Sequence, residues 1–482
     1  MSIYDKYEAV IGLEIHAQLL TKTKAYSSDE NIYGAKPNTK TSAISLGHPG
    51  TLPKSNSKVI EYAVKLGIAV GSKIREINEY ARKNYFYADL PKGFQITQDK
   101  TPICNGGSIY IKDAKGHDKK IGINRIHMEE DAGKSIHDLD PFHTLIDLNR
   151  AGLPLIEIVS EPEIKTSDEA YQYINEVKKL VQYLDICDGN MEEGSLRCDA
   201  NISVMKKGVE KFGTKVEVKN MNSSSNVKRA IEFEVKRQID LIESGLKISH
   251  ETRSFKAENN TTISMRHKEK ANDYRYFPEP DLQPVIISKK YISDLKKELP
   301  PLPKELYLKF TKEFGLSRYD AKILIDNKGL ALYFNSLCNF TNNYKSAANF
   351  VNGSVKAYLN EYAININNFN IGPKQLASLI KSIDDGKISN TLATTKIFPK
   401  MLISDDLADK IAKDNNWIKE SNNVQLNNYI KEAISKYPNK VDEFKSGKKG
   451  IIGLFMGEVM KLSKGKADPK VANELLKKEL EK

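Results

Sequence analysis

The 482 residues carry 74 Lys and Arg against 63 Asp and Glu, a formal charge of +11, with 40% hydrophobic and 28% charged residues. This composition excludes a disordered chain, a collagen-like fibre and a disulfide scaffold, and the length suits about two to four domains. No run approaches the ~18 consecutive apolar residues of a membrane span, and the start, with Asp5 and Glu8, reads as neither a secretory signal nor a transit peptide.

In chain order, residues 7–20 (YEAVIGLEIHAQLL) alternate as a strand, with Glu14, His16 and Gln18 on one face and Leu13, Ile15, Ala17 and Leu19 on the other. Residues 81–95 set Lys83 beside Tyr85, Phe86 and Tyr87. A lysine among aromatics suits the phosphates and base of a nucleotide, and equally a snorkelling lysine over a core cluster. In residues 126–134, Glu129, Glu130 and Asp131 follow one another. Three adjacent acids cannot share one strand face, so at least one side chain points away unless the backbone turns.

Thr166 with Glu169 predicts a capping box, hydroxyl to the third-residue amide and carboxylate back to the cap amide. Ala170, Tyr173, Ile174, Val177, Leu180, Val181 and Leu184 then share one helical face. Residues 196–204 alternate again, with Arg197, Asp199, Asn201 and Ser203 on one face. Lys215, Glu217 and Lys219 alternate with Val216 and Val218, and Gly208 and Gly213 suit a hairpin between the two strands. A helix is predicted from Ser223–Ser225 to Gly245, whose Lys228, Arg229, Lys236 and Arg237 read as a solvated face. Past Pro300, Pro301 and Pro303 the chain becomes Lys- and Asn-rich with helical period. In residues 453–480 a helix stopping at Gly465 and another opening at Pro469 predict a helical hairpin.

The predicted class is therefore α+β: a largely antiparallel β-sheet cradle with flanking helices, then an all-α helical domain and a small all-α tail. Boundaries are placed at 1–292, 293–405 and 406–482. Cys104, Cys187, Cys198 and Cys338 never form a CxxC pair, which fits reduced thiols in a cytosolic protein.

A single polar row on a strand is the wet face of an antiparallel sheet. Several rows rich in acids, with a histidine two residues from a glutamate, point further. Converging carboxylates repel unless a cation neutralises them, and oxygen-rich donors with one imidazole suit Mg²⁺ or Mn²⁺ better than zinc. Gly133-Lys134-Ser135 mimics the end of a P-loop, but Met128 stands where its first glycine belongs. No GxGxxG, HExxH or kinase catalytic-loop pattern is present, so any ATP site belongs to a less common fold.

Eight motifs in order carry a resemblance: VIGLEIHAQL, PGTLP around Gly50, ARKNYFYADLPKGFQI, IHMEEDAGKS, DLNRAGLPLIEIVSEPE, EEGSLRCDANISV, KVEVKN and DYRYFPEPDL. Together they resemble the B subunit (GatB) of the bacterial tRNA-dependent amidotransferases, and GLFMGEVMKLSKGKADP in the tail is similar to that family too. The resemblance implies a cytoplasmic ligase that repairs misacylated Glu-tRNA(Gln) or Asp-tRNA(Asn). ATP would phosphorylate the side-chain carboxylate, and ammonia from an amidase-type glutaminase subunit would displace the phosphate; a third, small subunit would clasp the other two. Which of the two tRNAs is the substrate stays open, and no membrane partner is implied.

On this resemblance, Glu14, His16, Glu130 and Glu217 are the expected Mg²⁺ ligands, direct or through water, with Glu129 and Asp199 as second choices. Lys83 and Tyr85 would contact ATP, with Ser195, Arg197 and Lys219 as further candidates; Glu14, His16, Lys83 and Glu130 form the expected catalytic set. Asn149, Arg150 and Glu157 would line the ammonia path, although a salt bridge holding the sheet explains the last two as well.

Many members bind zinc through two cysteine pairs before the PGTLP turn. Residues 26–50 here have serines and no cysteine, so no zinc is expected and polar contacts or packing should hold the loop. Archaeal relatives carry a large inserted domain for which this chain is too short, which favours the three-subunit type. The sixteen lysines and absent arginines of residues 401–482 suit loose phosphate contacts to tRNA.

Overall fold

The computed structural model describes residues 3–265, 274–418 and 423–463, with 465, 467 and 469–481. Asp273 of the DYRYFPEPDL motif, Lys464, Lys466 and Asp468 of the tail motif, and Lys419 and Lys482 lie outside the described residues. The chain forms two compact units, Met1–Pro303 and Lys304–Lys482.

The first unit is built on a ten-stranded sheet. Its principal strands are β1 (Tyr7–Gln18), β4 (Asp118–Glu130), β5 (Pro154–Ser160), β6 (Leu196–Lys206), β7 (Val216–Lys219), β8 (Thr252–Lys256) and β9 (Thr261–Ser264). A separate three-stranded sheet is formed by β2 (Ala81–Asn84), β3 (Phe94–Thr97) and Phe277–Pro278. Across the large sheet the order is β9-β8-β7-β6-β1-β5-β4, continued by Cys104–Asn105 and Lys73–Ile74. Every pair is antiparallel except β7 with β8. With the helices this is the expected α+β class.

Period-two alternation decides which face is dry. Leu13, Ile15 and Ala17 of β1, Ile126 and Met128 of β4, Ile156 and Ile158 of β5 and Cys198, Ala200 and Ile202 of β6 are buried together. Helices α1 (Ser57–Val70), α2 (Ser167–Tyr183) and α3 (Ser224–Glu243) cover that face. Gly213 lies where β6 and β7 are joined, and a Cβ on it would meet the Val204 carbonyl oxygen at 2.1 Å, so only glycine admits this approach.

The Thr166 hydroxyl accepts the Glu169 amide at 3.1 Å as predicted, but the return contact differs. Glu169 accepts the amide of Lys165 at 2.7 Å, one residue before the cap, and is drawn there by Lys119 at 2.7 Å. On α3 the basic face is satisfied locally: Lys228 pairs with Asp168 at 2.6 Å and Arg237 with Glu234 at 2.6 Å.

The second unit is helical. Helix α4 (Pro373–Asp384) packs on α5 (Ala408–Asp414), and Lys387 and Ser382 both bind Asp409. Helices α6 (Asn423–Ser435), α7 (Pro438–Lys445), α8 (Ile452–Leu462) and α9 (Pro469–Leu480) bury a core of their own, with Leu426, Ile430, Phe444, Phe455, Val459 and Leu476. Helix α8 ends at Leu462, and beyond it Gly465 has φ +79° and an amide that reaches the Met460 carbonyl at 2.8 Å. Among the described residues no helix is long and apolar enough to cross a membrane.

Candidate functional site

Strand register gathers the polar residues of four adjacent strands into a transverse line. Arg197 of β6 stands opposite His16 of β1, His16 opposite Glu157 of β5, and Glu157 opposite His127 of β4. Two residues along β1, Glu14 stands opposite Asp199. His16 Nε2 lies 3.6 Å from Glu14, 3.4 Å from Glu129 and 3.3 Å from Glu157. Two triads share this imidazole, Glu14–His16–Asp199 and His16–Glu129–Glu157, each with its donor atoms within 4.8 Å of one another.

The electrostatics follow from that crowding. Burial disfavours charge on His16, yet the hydrogen bond to Glu157 and the fields of Glu129, Glu157 and Glu14 outweigh it and raise the imidazole to about 9. Burial and the field of Glu157 raise the Glu14 carboxyl, against opposing pulls from His16 and Lys219. Glu157, although buried, is held well below the usual carboxylate range by His127 and His16. A pocket that holds a proton this firmly has a deficit of positive charge. The donor set, mainly carboxylate oxygens around one imidazole, fits a hard divalent cation.

Asp199 and Glu217 already possess a cation. Lys219 binds both, at 2.9 Å to Glu217, and Glu217 also accepts the Thr252 hydroxyl at 2.8 Å. Lys83, on β2, sits 5.1 Å from the centroid of the Tyr274 ring. Burial opposes its charge, but Glu129 and Glu157 raise it, which places the ammonium in the field of the acidic cluster. Tyr85 packs edge-on against Tyr87 and Tyr274, with centroids 5.8 and 6.1 Å away, and its phenol is pushed up by burial and by Glu129. Lysine and aromatics thus converge beside the acids.

Glu130, expected as a metal ligand, does not join the cluster. It follows Glu129 on β4, so its side chain leaves through the opposite face, where it is buried, pairs with Lys92 and accepts the Ile96 amide at 2.8 Å. The Ser195 hydroxyl is turned to Asp188 at 3.2 Å. Asn149 is occupied with the loop before the PGTLP turn, donating to the Lys36 carbonyl at 2.7 Å and accepting the Lys40 amide at 2.8 Å. Arg150 and Arg197 both bind Asp131, at 2.9 and 3.0 Å.

Sequence alternation leaves Glu157 apart from the acids and gives no role to His127 or Asp131. The alternation of Glu157 with Ile156 and Ile158 is visible in the sequence, but its registration against His16 is not.

The front of the chain, residues 9–293, matches the family model described as the GatB/GatE catalytic domain, and residues 332–480 match the GatB domain. A protein of Geotalea daltonii is 47% identical over 479 residues, covering 99% of this chain and 100% of its own length. One of Thermodesulfovibrio yellowstonii is 46% identical over 471 residues, and one of Rickettsia conorii 45% identical over 475 residues, each alignment covering 98% of both chains. All three are named as the B subunit of aspartyl/glutamyl-tRNA(Asn/Gln) amidotransferase. Joined to a sheet whose register assembles an acidic site beside a lysine, these matches show that the chain belongs to the GatB family of amidotransferase B subunits, a ligase family whose members are parts of multi-subunit enzymes.

Proposed function

We propose that the polar face of the large sheet is where ATP activates the side-chain carboxylate of a misacylated tRNA, Glu-tRNA(Gln) or Asp-tRNA(Asn), for amidation. A carboxylate resists ammonia because its leaving group would be oxide. Transfer of the γ-phosphoryl group forms a carboxyl–phosphate bond and releases ADP; ammonia then forms the C–N bond as phosphate leaves. The observation that carries this reading is the pair of acidic triads sharing His16, with Lys83 in their field.

Phosphoryl transfer depends on positioning and charge neutralisation. Glu14, His16, Glu129 and Glu157 are the residues suited to hold Mg²⁺, with Asp199 and Glu217 reached only if Lys219 yields. The cation, when bound, neutralises phosphate charge. Lys83 would pair with the phosphates and Tyr85 supply an aromatic surface for the nucleotide. Ser195 and Lys219 are weaker nucleotide contacts because Asp188 and the two acids occupy them. The ion pair of Arg150 with Asp131, those of Glu157 with His16 and His127, and the loop contacts of Asn149 occupy these residues without an ammonia path.

The rest of the proposal follows the relatives' names. An amidase-type glutaminase subunit supplies ammonia through a channel, and a third, small subunit clasps the pair. The cradle of residues 1–292 is followed by helical and tail domains that hold tRNA, and the complex acts in the cytoplasm. The test is phosphate release and amide formation by the assembled complex, with and without misacylated tRNA, and with and without the ammonia-supplying partner. ATP cleavage should depend on the misacylated tRNA and amide formation on ammonia, and Lys83→Ala should reduce both at least a hundredfold. Amidation left intact by Glu14→Ala and Lys83→Ala would instead mark an RNA-binding scaffold, and hydrolysis without ATP a metal-dependent hydrolase.

A further inference from the structure

Asp131 carries two guanidinium groups on one oxygen. Its Oδ2 accepts Arg150 Nη2 at 2.9 Å and Arg197 Nη2 at 3.0 Å, and the carboxylate is buried. One carboxylate balances one of two cations, so the trio keeps a positive charge. Each guanidinium offers five N–H donors in a planar fork, and the side chains stay 27% and 39% exposed. Arg197 Nε is buried without a hydrogen-bond partner. Gly194, with φ +80°, lies against Arg150, where a Cβ would stand 3.6 Å from a guanidinium nitrogen.

The position matters as much as the charge. Arg197 stands directly across from His16, so an anion on this clamp lies at the edge of the acidic triads. Glu129 also acts on Arg197, and it is an acid that a cation in the His16–Glu129–Glu157 triad would engage. Two guanidinium forks suit an anion that presents two oxygens in a plane, as a carboxylate does.

We propose that Arg150 and Arg197, held together by Asp131, bind the side-chain carboxylate of the aminoacyl group that is amidated. This assignment rests on the function proposed above. It separates the acceptor subsite from the nucleotide subsite around Lys83 and Tyr85.

The experiment is equilibrium binding to the assembled complex, in Mg²⁺ without ATP, of one tRNA charged either with the acidic residue or with its amide. The two ligands differ only in side-chain charge, so loss of tRNA contacts elsewhere cancels in the ratio. The wild-type complex should prefer the acid-charged tRNA at least tenfold. Arg150→Gln and Arg197→Gln should each reduce the preference to threefold or less while the affinity for β,γ-imido-ATP changes less than twofold. Arg197→Lys, which keeps the charge and loses the fork, should fall between. Each single variant leaves Asp131 with one arginine, which protects the fold. Equal binding of both tRNAs by the wild type, an unchanged preference in the variants, or a tenfold loss of nucleotide affinity would overturn the assignment. A wild-type complex that forms no amide from ATP and ammonia refutes the underlying reading instead, whatever the binding ratio.

Discussion

His127 holds Nε2 3.2 Å from Glu157 while its Nδ1 is buried without a partner, so its one polar task within the described residues is to fix that carboxylate. Groups behind a metal ligand typically change metal affinity 10–100-fold. His127→Ala should therefore raise the Mg²⁺ concentration for half-maximal ATP-dependent amidation by about that factor, and His127→Gln, whose amide nitrogen overlays Nε2, should recover most of the loss. An unchanged Mg²⁺ titration in the alanine variant would remove His127 from this role. Lys24 is fully buried, and burial lowers its amine from 10.5 to about 8 despite Asp29, Glu130 and Asp147, with Lys92 adding repulsion. Below pH 8 both folded and unfolded chains carry the charge, and the folded state bears its cost. Between about 8 and 10.5 the unfolded chain binds more protons, so this residue's contribution to stability rises with pH. Urea unfolding at pH 7 and pH 10 should show the wild type gaining on Lys24→Met by roughly 2–3 kcal/mol, and a constant difference would show that Lys24 does not titrate there. Neither residue announces itself in sequence: a histidine on a half-polar strand and a lysine in a polar loop are commonplace until their neighbours are known.

At the scale of elements, alternation along a strand is legible in the sequence and pairing between strands is not. Period two alone puts Glu14 and His16 on one face, and Arg197 with Asp199, and Ser223 and Gly245 bound α3. Adjacent acids on β4 imply that one must turn away; only the register, Glu157 against His127 and His16, identifies Glu129 as the one that stays. Glu157 escapes a sequence reading for the same reason, because an ion pair across strands depends on a pairing that no local pattern specifies. The loop before the PGTLP turn shows local chemistry carrying further. Asp29 accepts the amide and hydroxyl of Ser42, both at 3.1 Å, and the hydroxyl of Ser45, while its own amide donates to the Ser27 hydroxyl at 3.3 Å. Ser27, Ser42 and Ser45 thus meet on Asp29, whose carboxylate they hold below its usual range despite its burial. Elemental analysis of the purified protein should find no stoichiometric zinc, and a zinc-selective chelator should shift the melting temperature by less than about 1 °C, a change of a few tenths of a kcal/mol at most. Asp29→Ala should lower it by several degrees through the loss of these bonds. One zinc per chain would show that the polar knot is not what closes the loop.

For the whole molecule, the net charge of +11 is too coarse to locate a polyanion, and the tail shows why. Lys436 is bound by Glu458, and Lys440 and Lys448 by Glu443, so part of its lysine serves its own packing. Lys431 of α6, Lys445 of α7 and Lys477 and Lys478 of α9 are exposed, and the proposed phosphate contacts fall to them. The place to cut follows from packing. Helix α5 is bonded to α4 through Asp409, whereas α6 to α9 bury a separate core, so a chain ending at Ile418 removes the tail and spares the bundle before it. In the assembled complex this truncation should weaken tRNA binding at least tenfold at 100 mM salt and leave the partner's glutaminase activity intact. Each phosphate contact contributes about 0.9 to the slope of log affinity against log salt on duplex nucleic acid. The combined Lys431→Gln, Lys445→Gln, Lys477→Gln and Lys478→Gln variant, which keeps the tail core, should therefore flatten that slope by about two to four. Unchanged affinity and slope in both forms would mean that tRNA is held by the rest of the chain and its partners, and that the tail lysines serve solubility alone.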